Sequence, residues 1–149
     1  MPTLVENPKA HFNYEILEKY EAGIELLGFE VKSLKKKQGN LEGAYILIRG
    51  GEAYMVGVLI PPYQEKNTPA GYDARRNRRL MLNRKEIREL AAKDGEKGLT
   101  IVPISIYNNG RLIKVTIAVV RGKKKYDKRE TTKRREGDRE MSRLMKGGR

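Results

Sequence analysis

The chain has 149 residues and no cysteine, and its 32 lysines and arginines against 19 aspartates and glutamates give a formal charge of +13. This length predicts one domain with one core, and the lack of cysteine excludes disulfides, thiolate nucleophiles and cysteine-ligated metals. Such a positive charge indicates a polyanionic partner, with nucleic acid ahead of an anionic membrane surface. Because the sequence has neither a signal-peptide pattern nor a membrane-spanning apolar run, we expect a soluble, cytoplasmic protein.

The first predicted element is a long strand over residues 12–26. Apolar residues occupy every second position there, interrupted once by Glu18, and the alternate positions are mainly charged. Strand side chains alternate between two faces, so this pattern predicts a half-buried strand with one apolar face. A strand of this length must bend, and we expect the bend or bulge at Gly23. Residues 1–11 are expected to be a polar leader, loosely held except where 7–10 introduce the strand.

The next stretch predicts a short element, a hairpin and a loop. Residues 29–38 suit a short helix or a strand end, of which we favour the helix, and their lysines would form a basic rim. Two apolar runs, 44–48 and 53–60, are joined by a Gly-Gly pair and predict a hairpin. Residues 61–79 contain three prolines and finish in four arginines. They predict a long loop, of a length that is usually functional or disordered.

The following residues predict a helix and a second hairpin. Asn83 suits a helix N-cap, and Glu86 three residues later completes a variant of the capping box. Two further apolar runs, 99–107 and 112–120, predict strands. The segment 108–110, Asn-Asn-Gly, joins them and predicts a type I′ turn.

This order of elements is that of an OB-type five-stranded barrel. We therefore predict a mainly β fold with accessory helices, namely an OB-fold-like closed antiparallel β-barrel over residues 1–120. Residues 121–149 differ in composition, with 13 lysines and arginines against 5 acidic residues. Because this basic C-terminal tail has few large apolar residues, we expect it to be disordered when free and helical on a polyanion.

Few residues suit catalysis. The chain has one histidine, His11, so paired-histidine sites and Ser-His-Asp triads are excluded, and neither a P-loop nor a GxGxxG segment is present. No carboxylates have metal-ligand spacing, although a pair brought together by folding stays open. We expect a protein that is not an enzyme and has no metal and no cofactor.

Three features suit RNA binding, and each has a simpler alternative. Glu21 is either a solvated carboxylate or an acceptor of hydrogen bonds from a base edge or a ribose hydroxyl. The arginines at 75–79 form either a solvated loop or a site for phosphates and bases, which guanidinium groups bind well. Tyr126 lies in a basic run that is either solubilising or, with its stacking surface, suited to RNA.

Four segments, in this order and spacing, closely resemble the SmpB family, the small protein B that partners transfer-messenger RNA in bacterial ribosome rescue: NPKAHFNYEILEKYEAGIELLGFEVKSL, RNRRLMLN, GLTIVPISIY and GKKKYDKRE. The resemblance covers essentially the whole chain from Asn7. It implies an OB-like protein that binds the tRNA-like domain of transfer-messenger RNA and accompanies it into the empty A site of a stalled ribosome. After EVKSL the family usually has arginine and then glycine, whereas this chain has three lysines and its glycine at 39, which leaves the local turn open.

The resemblance also implies site residues. Asn7, Glu21 and the segment around Met81 match family positions that bind this RNA, and Met81 conserves the bulk of the leucine often found there. The RNA-binding candidates are Asn7, Lys9, Glu21, Lys32, Arg76, Arg78, Arg79 and Met81. Candidates for accommodation of the tail in the decoding site and message path are Gly122, Lys123, Lys124, Tyr126, Asp127, Lys128, Arg129, Leu144 and Met145. The partners are therefore transfer-messenger RNA and the ribosome, bound by a monomer with no membrane attachment. The alternative is a general OB-fold RNA-binding or ribosome-assembly protein without transfer-messenger RNA specificity.

Overall fold

The structure, a computed structural model, describes residues 2–64, 66 and 68–122. Within this part of the chain, seven strands form one antiparallel sheet, and three helices accompany it. The elements are β1 (Thr3–Glu6), α1 (Pro8–Asn13), β2 (Tyr14–Ile24), α2 (Gly28–Lys35), β3 (Tyr45–Arg49), β4 (Glu52–Val56), β5 (Arg78–Met81), α3 (Arg84–Asp94), β6 (Leu99–Asn109) and β7 (Leu112–Gly122). The strand order is β1-β6-β7-β2-β5-β4-β3. The prediction of a mainly β fold with accessory helices is confirmed.

The sheet is not closed into a barrel, so that part of the prediction was wrong. β1 and β3 lie at opposite ends of the hydrogen-bonded order, and within the described residues no ladder joins them. Closure would require the two end strands to pair. Instead, α2 packs near β1, and Gly39 lies beside Val5 of β1 and Leu34 of α2. The turn after α2 therefore packs against a core side chain of β1.

A bulge divides β2 between the two faces of the sheet. Ile16 pairs with Val120 and Glu18 pairs with the adjacent Val119, so Leu17 is the extra residue. One extra residue moves the following side chains to the opposite face. The apolar residues of β2 thus pack in two places: Tyr14 and Ile16 against the cluster under α1, and Tyr20, Ala22 and Ile24 in the main core. The expected single apolar face was wrong, and the bulge lies at Leu17, not at Gly23.

The N-terminal residues are part of the fold, in contrast to the expected loose leader. β1 pairs antiparallel with β6, an edge whose availability the local sequence cannot reveal. α1 then begins with Pro8 in its first turn, where a missing backbone N–H costs nothing, and it includes Phe12, which was expected in the strand. α1 packs Ala10 against β6 and β7, forming a small second core on the outer face of the sheet. We use "outer face" for the side that carries α1, and "inner face" for the side that carries the main core.

The local predictions for the other elements have mixed outcomes. The helix α2, the hairpin β3–β4 and the helix α3 are confirmed, and Asn83 and Glu86 form the expected capping box. The loop expected over 61–79 was wrong at its end, where β5 pairs with β2 and β4. The second hairpin turns at Gly110, whose φ is +62°, while Arg111 is not among the positive-φ residues. A type I′ turn needs positive φ at both central residues, so the predicted turn type was also wrong. None of the described helices is long and apolar enough to cross a membrane.

Candidate nucleic-acid interface

Four neighbouring strands present one row of residues on the outer face. Met81 of β5 pairs with Gly23 of β2, Gly23 pairs with Lys114 of β7, and Lys114 pairs with Tyr107 of β6. Residues paired directly across antiparallel strands have their side chains on the same face. The row therefore places a thioether, an ammonium group and a phenol side by side on the sheet surface. We call these residues, together with Glu21 and Thr116 of the adjacent row, the outer-face site.

Gly23 brings Met81 close to β2. A Cβ atom at Gly23 would lie 3.0 Å from Met81 Cε, so the glycine allows the methionine side chain to lie across the strand. Met81 remains 50% exposed, and Leu112 nearby is 62% exposed. These two residues line a shallow groove of about 200 Å³ whose cations are Arg111 and Lys114. An apolar surface with cations beside it suits contact with bases and phosphates together.

Glu21 lies in the middle of this surface and is held by two hydroxyl groups. Tyr107 donates a hydrogen bond to Glu21 Oε2, and Thr116 Oγ1 lies 3.2 Å from both carboxylate oxygens. Burial, followed by the hydrogen bond to Glu21 and its charge, raises the pKa of Tyr107 to about 12. The phenol therefore keeps its proton and acts as a donor at neutral pH. Glu21 itself is exposed.

The predicted arginine cluster separates into different roles. Arg78 is 0% exposed, and its Nη2 lies 2.6 Å from Oε2 of Glu30, which is also 0% exposed. Its remaining donors reach backbone oxygens such as Val58 O, at 2.7 Å. Arg78 thus has an internal structural role, which corrects the RNA contact expected from the sequence. Arg79 on the next position is exposed, and its Nε lies 3.4 Å from Glu52 Oε1.

Glu30 is the centre of this internal cluster. It accepts hydrogen bonds from Arg76, Arg78, the Tyr72 hydroxyl and the Leu27 backbone N–H. Burial alone would raise the pKa of Glu30, but the hydrogen bonds, of which that from Arg76 is the strongest, outweigh it and lower the pKa to about 2. Arg76, whose side chain is 31% exposed, forms the outer edge of the cluster.

Two other RNA candidates lie on α1 and its N-cap. Asn7 is buried, and its Nδ2 donates to Pro103 O at 3.0 Å, so it fastens the start of α1 to β6. Lys9 is exposed and pairs with Glu42 at 2.5 Å. Both residues line a cleft of about 440 Å³ whose wall includes Tyr14, the partner of Gly122 at the end of β7. The cleft therefore lies beside the end of β7.

Lys32 lies on α2, away from any acidic partner in the described part of the chain, with its Nζ 6.0 Å from the centre of the Tyr63 ring.

The turn after α2 places Lys37 in the left-handed region, with φ +60°. Its backbone N–H bonds to Leu34 O, and that of Gln38 bonds to Ser33 O. This is a Schellman motif in which lysine takes the place usually held by glycine, and it answers the open question about the local turn.

The tail candidates from Lys123 onward lie outside the described residues, so their expected roles stay predictions; Gly122 is the last residue of β7.

The sequence reasoning did not name Tyr107, Thr116 or Lys114 as site residues. The alternation of polar and apolar residues along β7 could have placed Lys114 and Thr116 on one face, but Tyr107 reaches Glu21 from 86 positions away. Within the part described, no group of three or more His, Cys, Asp or Glu is placed to hold a metal.

A mainly antiparallel sheet whose exposed face combines cations, apolar side chains and a carboxylate defines a sheet-based nucleic-acid-binding protein. The model of the family described as "SmpB protein" matches residues 4–147. The chain belongs to the SmpB family.

Individual relatives agree with this assignment over nearly the full length. The SsrA-binding protein of Gloeothece citriformis (strain PCC 7424) is 49% identical over 143 residues, which are 96% of this chain and 92% of that protein. The SsrA-binding protein of Burkholderia vietnamiensis (strain G4 / LMG 22486) is 40% identical over 146 residues, 98% of this chain and 99% of that protein. A solved structure described as "tmRNA-SmpB: a journey to the center of the bacterial ribosome" has a TM-score of 0.70 and 42% identity, covering 89% of this chain and 95% of its own.

Proposed function

We propose that this chain binds the tRNA-like domain of transfer-messenger RNA and delivers it to stalled ribosomes for trans-translation, the rescue reaction in which the nascent peptide is tagged. Membership of the SmpB family supports this function, as do relatives named SsrA-binding proteins and the 42% identical structure of tmRNA–SmpB. The observation that carries the proposal is the outer-face site. It joins a hydrogen-bonded carboxylate to apolar and cationic side chains on one accessible surface.

The two parts of the chain divide the work. The curled, OB-like sheet binds the tRNA-like domain through the outer-face site, with Arg79, Lys9 and Lys32 supplying charge at other positions. Asn7 acts by fixing α1, since its side chain bonds to Pro103. The tail from residue 123, which has most of the net charge, enters the vacant decoding site and message path after delivery. Tyr126 stacks there, and the terminal pair Leu144 and Met145 docks.

The same proposal covers the remaining properties of the chain. It acts as a monomer in the cytoplasm, and it binds RNA without catalysing a reaction. The charge of +13 supplies attraction to every RNA, so selectivity has to come from contacts that are not purely ionic.

A competition titration tests the proposed partner. A labelled tRNA-like fragment of transfer-messenger RNA is bound to the full chain at two salt concentrations, with excess tRNA or unstructured RNA as competitor. We expect the fragment to remain preferred at the higher salt and to be intact afterwards. If all RNAs compete equally and affinity falls steeply with salt, the chain is a general RNA-binding protein. Cleavage of the fragment would instead indicate an RNase.

Deletion of residues 123–149 tests the division of work, because the cut leaves β7 whole. The truncated chain should keep most of its affinity for the fragment and lose tagging in a translation assay. Loss of both properties together would contradict separate roles for the sheet and the tail.

A further inference from the structure

Glu21 has acceptor capacity that no described residue uses. A carboxylate offers about four lone-pair positions. Thr116 has one hydroxyl proton, shared between the two oxygens at 3.2 Å each, and Tyr107 supplies a second proton to Oε2. Among the described residues, about two acceptor positions therefore stay open on this exposed side chain, whose direction the two hydroxyl groups fix.

The charge of Glu21 is not compensated within the described residues, where no lysine or arginine nitrogen lies within 4.0 Å of its carboxylate. Such a group repels phosphate. Its RNA ligand must instead be a hydrogen-bond donor, and RNA offers base amino and imino groups and the ribose 2′-hydroxyl. Contact with bases is supported by the apolar groove of Met81 and Leu112 on the same side of the sheet.

The shape of the carboxylate selects among the bases. Its two oxygens accept from two parallel N–H groups, as they do from an arginine fork. Guanine is the base that presents two adjacent donors, N1–H and the N2 amino group, on its Watson–Crick edge. In adenine, cytosine and uracil a donor on this edge has an acceptor beside it, which a carboxylate oxygen would repel.

We propose that Tyr107 and Thr116 are positioning residues that hold Glu21 as a receptor for the Watson–Crick edge of an unpaired guanine in the RNA partner. This inference rests on the proposed function and assigns the chemistry of one contact within it. The two hydroxyl groups limit the rotamers of Glu21 before RNA arrives, so less side-chain entropy is lost on binding. The guanine must be unpaired, because its Watson–Crick edge would otherwise be occupied.

Nucleotide-analogue interference identifies the base and maps its position in one experiment. The tRNA-like fragment is transcribed with phosphorothioate-tagged inosine replacing a fraction of the guanosines, and bound and free pools are compared after iodine cleavage. Inosine lacks the N2 amino group, so RNA with inosine at the contacted position should be depleted from the bound pool by roughly tenfold. This is the effect expected from the loss of one hydrogen bond to a charged group. Glu21→Ala should remove that depletion, and Glu15→Ala, which changes the same charge on the same strand, should leave it.

The same mapping with 2′-deoxy analogues separates base from ribose. Glu21-dependent depletion by deoxy analogues without any by inosine would overturn guanine recognition in favour of a ribose hydroxyl. Inosine depletion at no Glu21-dependent position would also overturn it. If Glu21→Ala keeps both its affinity and its preference for the fragment, the outer face does not bind RNA, and the proposed function of this face is wrong. If affinity falls but inosine has no effect that depends on Glu21, only guanine recognition is wrong.

A double-mutant cycle tests the positioning role. Tyr107→Phe and Thr116→Val should each weaken binding by roughly three- to tenfold, with an unchanged dependence on salt because no phosphate contact is lost. Thr116→Ser should restore affinity. Tyr20→Phe is the matched control, since its hydroxyl lies within hydrogen-bond distance of Glu18 and Glu89 instead. When Glu21 is already replaced by alanine, Tyr107→Phe should not lower RNA affinity any further. If it lowers affinity there as much as it does in the unmodified protein, the positioning role is overturned, because Tyr107 would then act independently of Glu21.

Discussion

Glu30 and Glu21 each accept a hydrogen bond from a tyrosine hydroxyl, and their surroundings are opposite. Glu30 is fully buried, and Tyr72, Arg76 and Arg78 close around it. Glu21 is exposed and is held by Tyr107 and Thr116 alone among the described residues. The two carboxylates therefore differ in the number and the charge of their hydrogen-bond donors: two arginines are among the donors to Glu30, and in the part of the chain that the structure describes only neutral hydroxyl groups donate to Glu21.

This difference separates a structural carboxylate from a binding one. A buried charge is tolerated only when it is paired and its hydrogen-bonding capacity is used, as it is for Glu30. An exposed carboxylate is solvated by water, so it needs neither a counter-charge nor protein hydrogen bonds for the protein to be stable. The two hydroxyl groups that fix Glu21 are therefore better suited to recognition of a ligand than to stabilising the fold. Substitutions that change one carboxylate cluster at a time test this distinction.

The largest expected effect is on the buried cluster. Glu30→Ala should lower the free energy of unfolding by about 3–5 kcal/mol, because Arg78 would be left buried and without its counter-charge. Urea unfolding followed by circular dichroism measures this change. Glu21→Ala is the matched control and should shift the free energy of unfolding by no more than about 0.5 kcal/mol. Equal losses for the two variants would contradict the distinction.

Acid should also destabilise the fold through the same cluster. The folded pKa of Glu30 is lowered from 4.5 to about 2, so its ionised form stabilises the fold fully above pH 4.5, and this contribution is lost as the pH falls towards 2. The loss should be on the order of 3 kcal/mol. Urea midpoints measured from about pH 6 to about pH 2 give the profile. Glu30→Gln should flatten it, and an identical fall in that variant would assign the effect to other carboxylates.

The exposed cluster should respond through binding. Glu21→Ala should weaken affinity for the tRNA-like fragment by about 10- to 100-fold, the value of losing hydrogen bonds to a charged acceptor. Thermal unfolding should be unchanged. Glu15→Ala, exposed on the same strand, should not weaken binding. If both variants bind equally well, Glu21 has no special role in recognition.

The smallest effect distinguishes the two arginines of the buried cluster. Arg76→Ala should lower the free energy of unfolding by about 1–2 kcal/mol, less than Arg78→Ala, because water reaches the 31% exposed Arg76 side chain and can replace part of the lost contact. Chemical unfolding of the two variants gives the comparison. A larger loss for Arg76 would mean that the outer arginine, rather than the inner one, holds Glu30.

Features that depend on neighbouring residues could be predicted from the sequence. The capping box of Asn83 and Glu86 uses groups three positions apart, and the Gly-Gly turn of the first hairpin needs only its own backbone. The excess of basic residues indicated a nucleic-acid partner without any fold. The family segments in turn pointed to Glu21 and Met81, two residues that the structure places on adjacent strands of the outer face.

The sequence by itself thus determined α2, α3, the first hairpin, the charge and the family, because each resides in short segments or in composition. Only the tertiary structure decided that Arg78 is internal, since its partner Glu30 is 48 positions away and burial depends on the whole sheet. The bulge at Leu17 likewise follows from pairing with β7, which the alternation within β2 cannot reveal. The Tyr107–Glu21 contact joins residues 86 positions apart, and it exists because β7 pairs with β6 on one side and with β2 on the other.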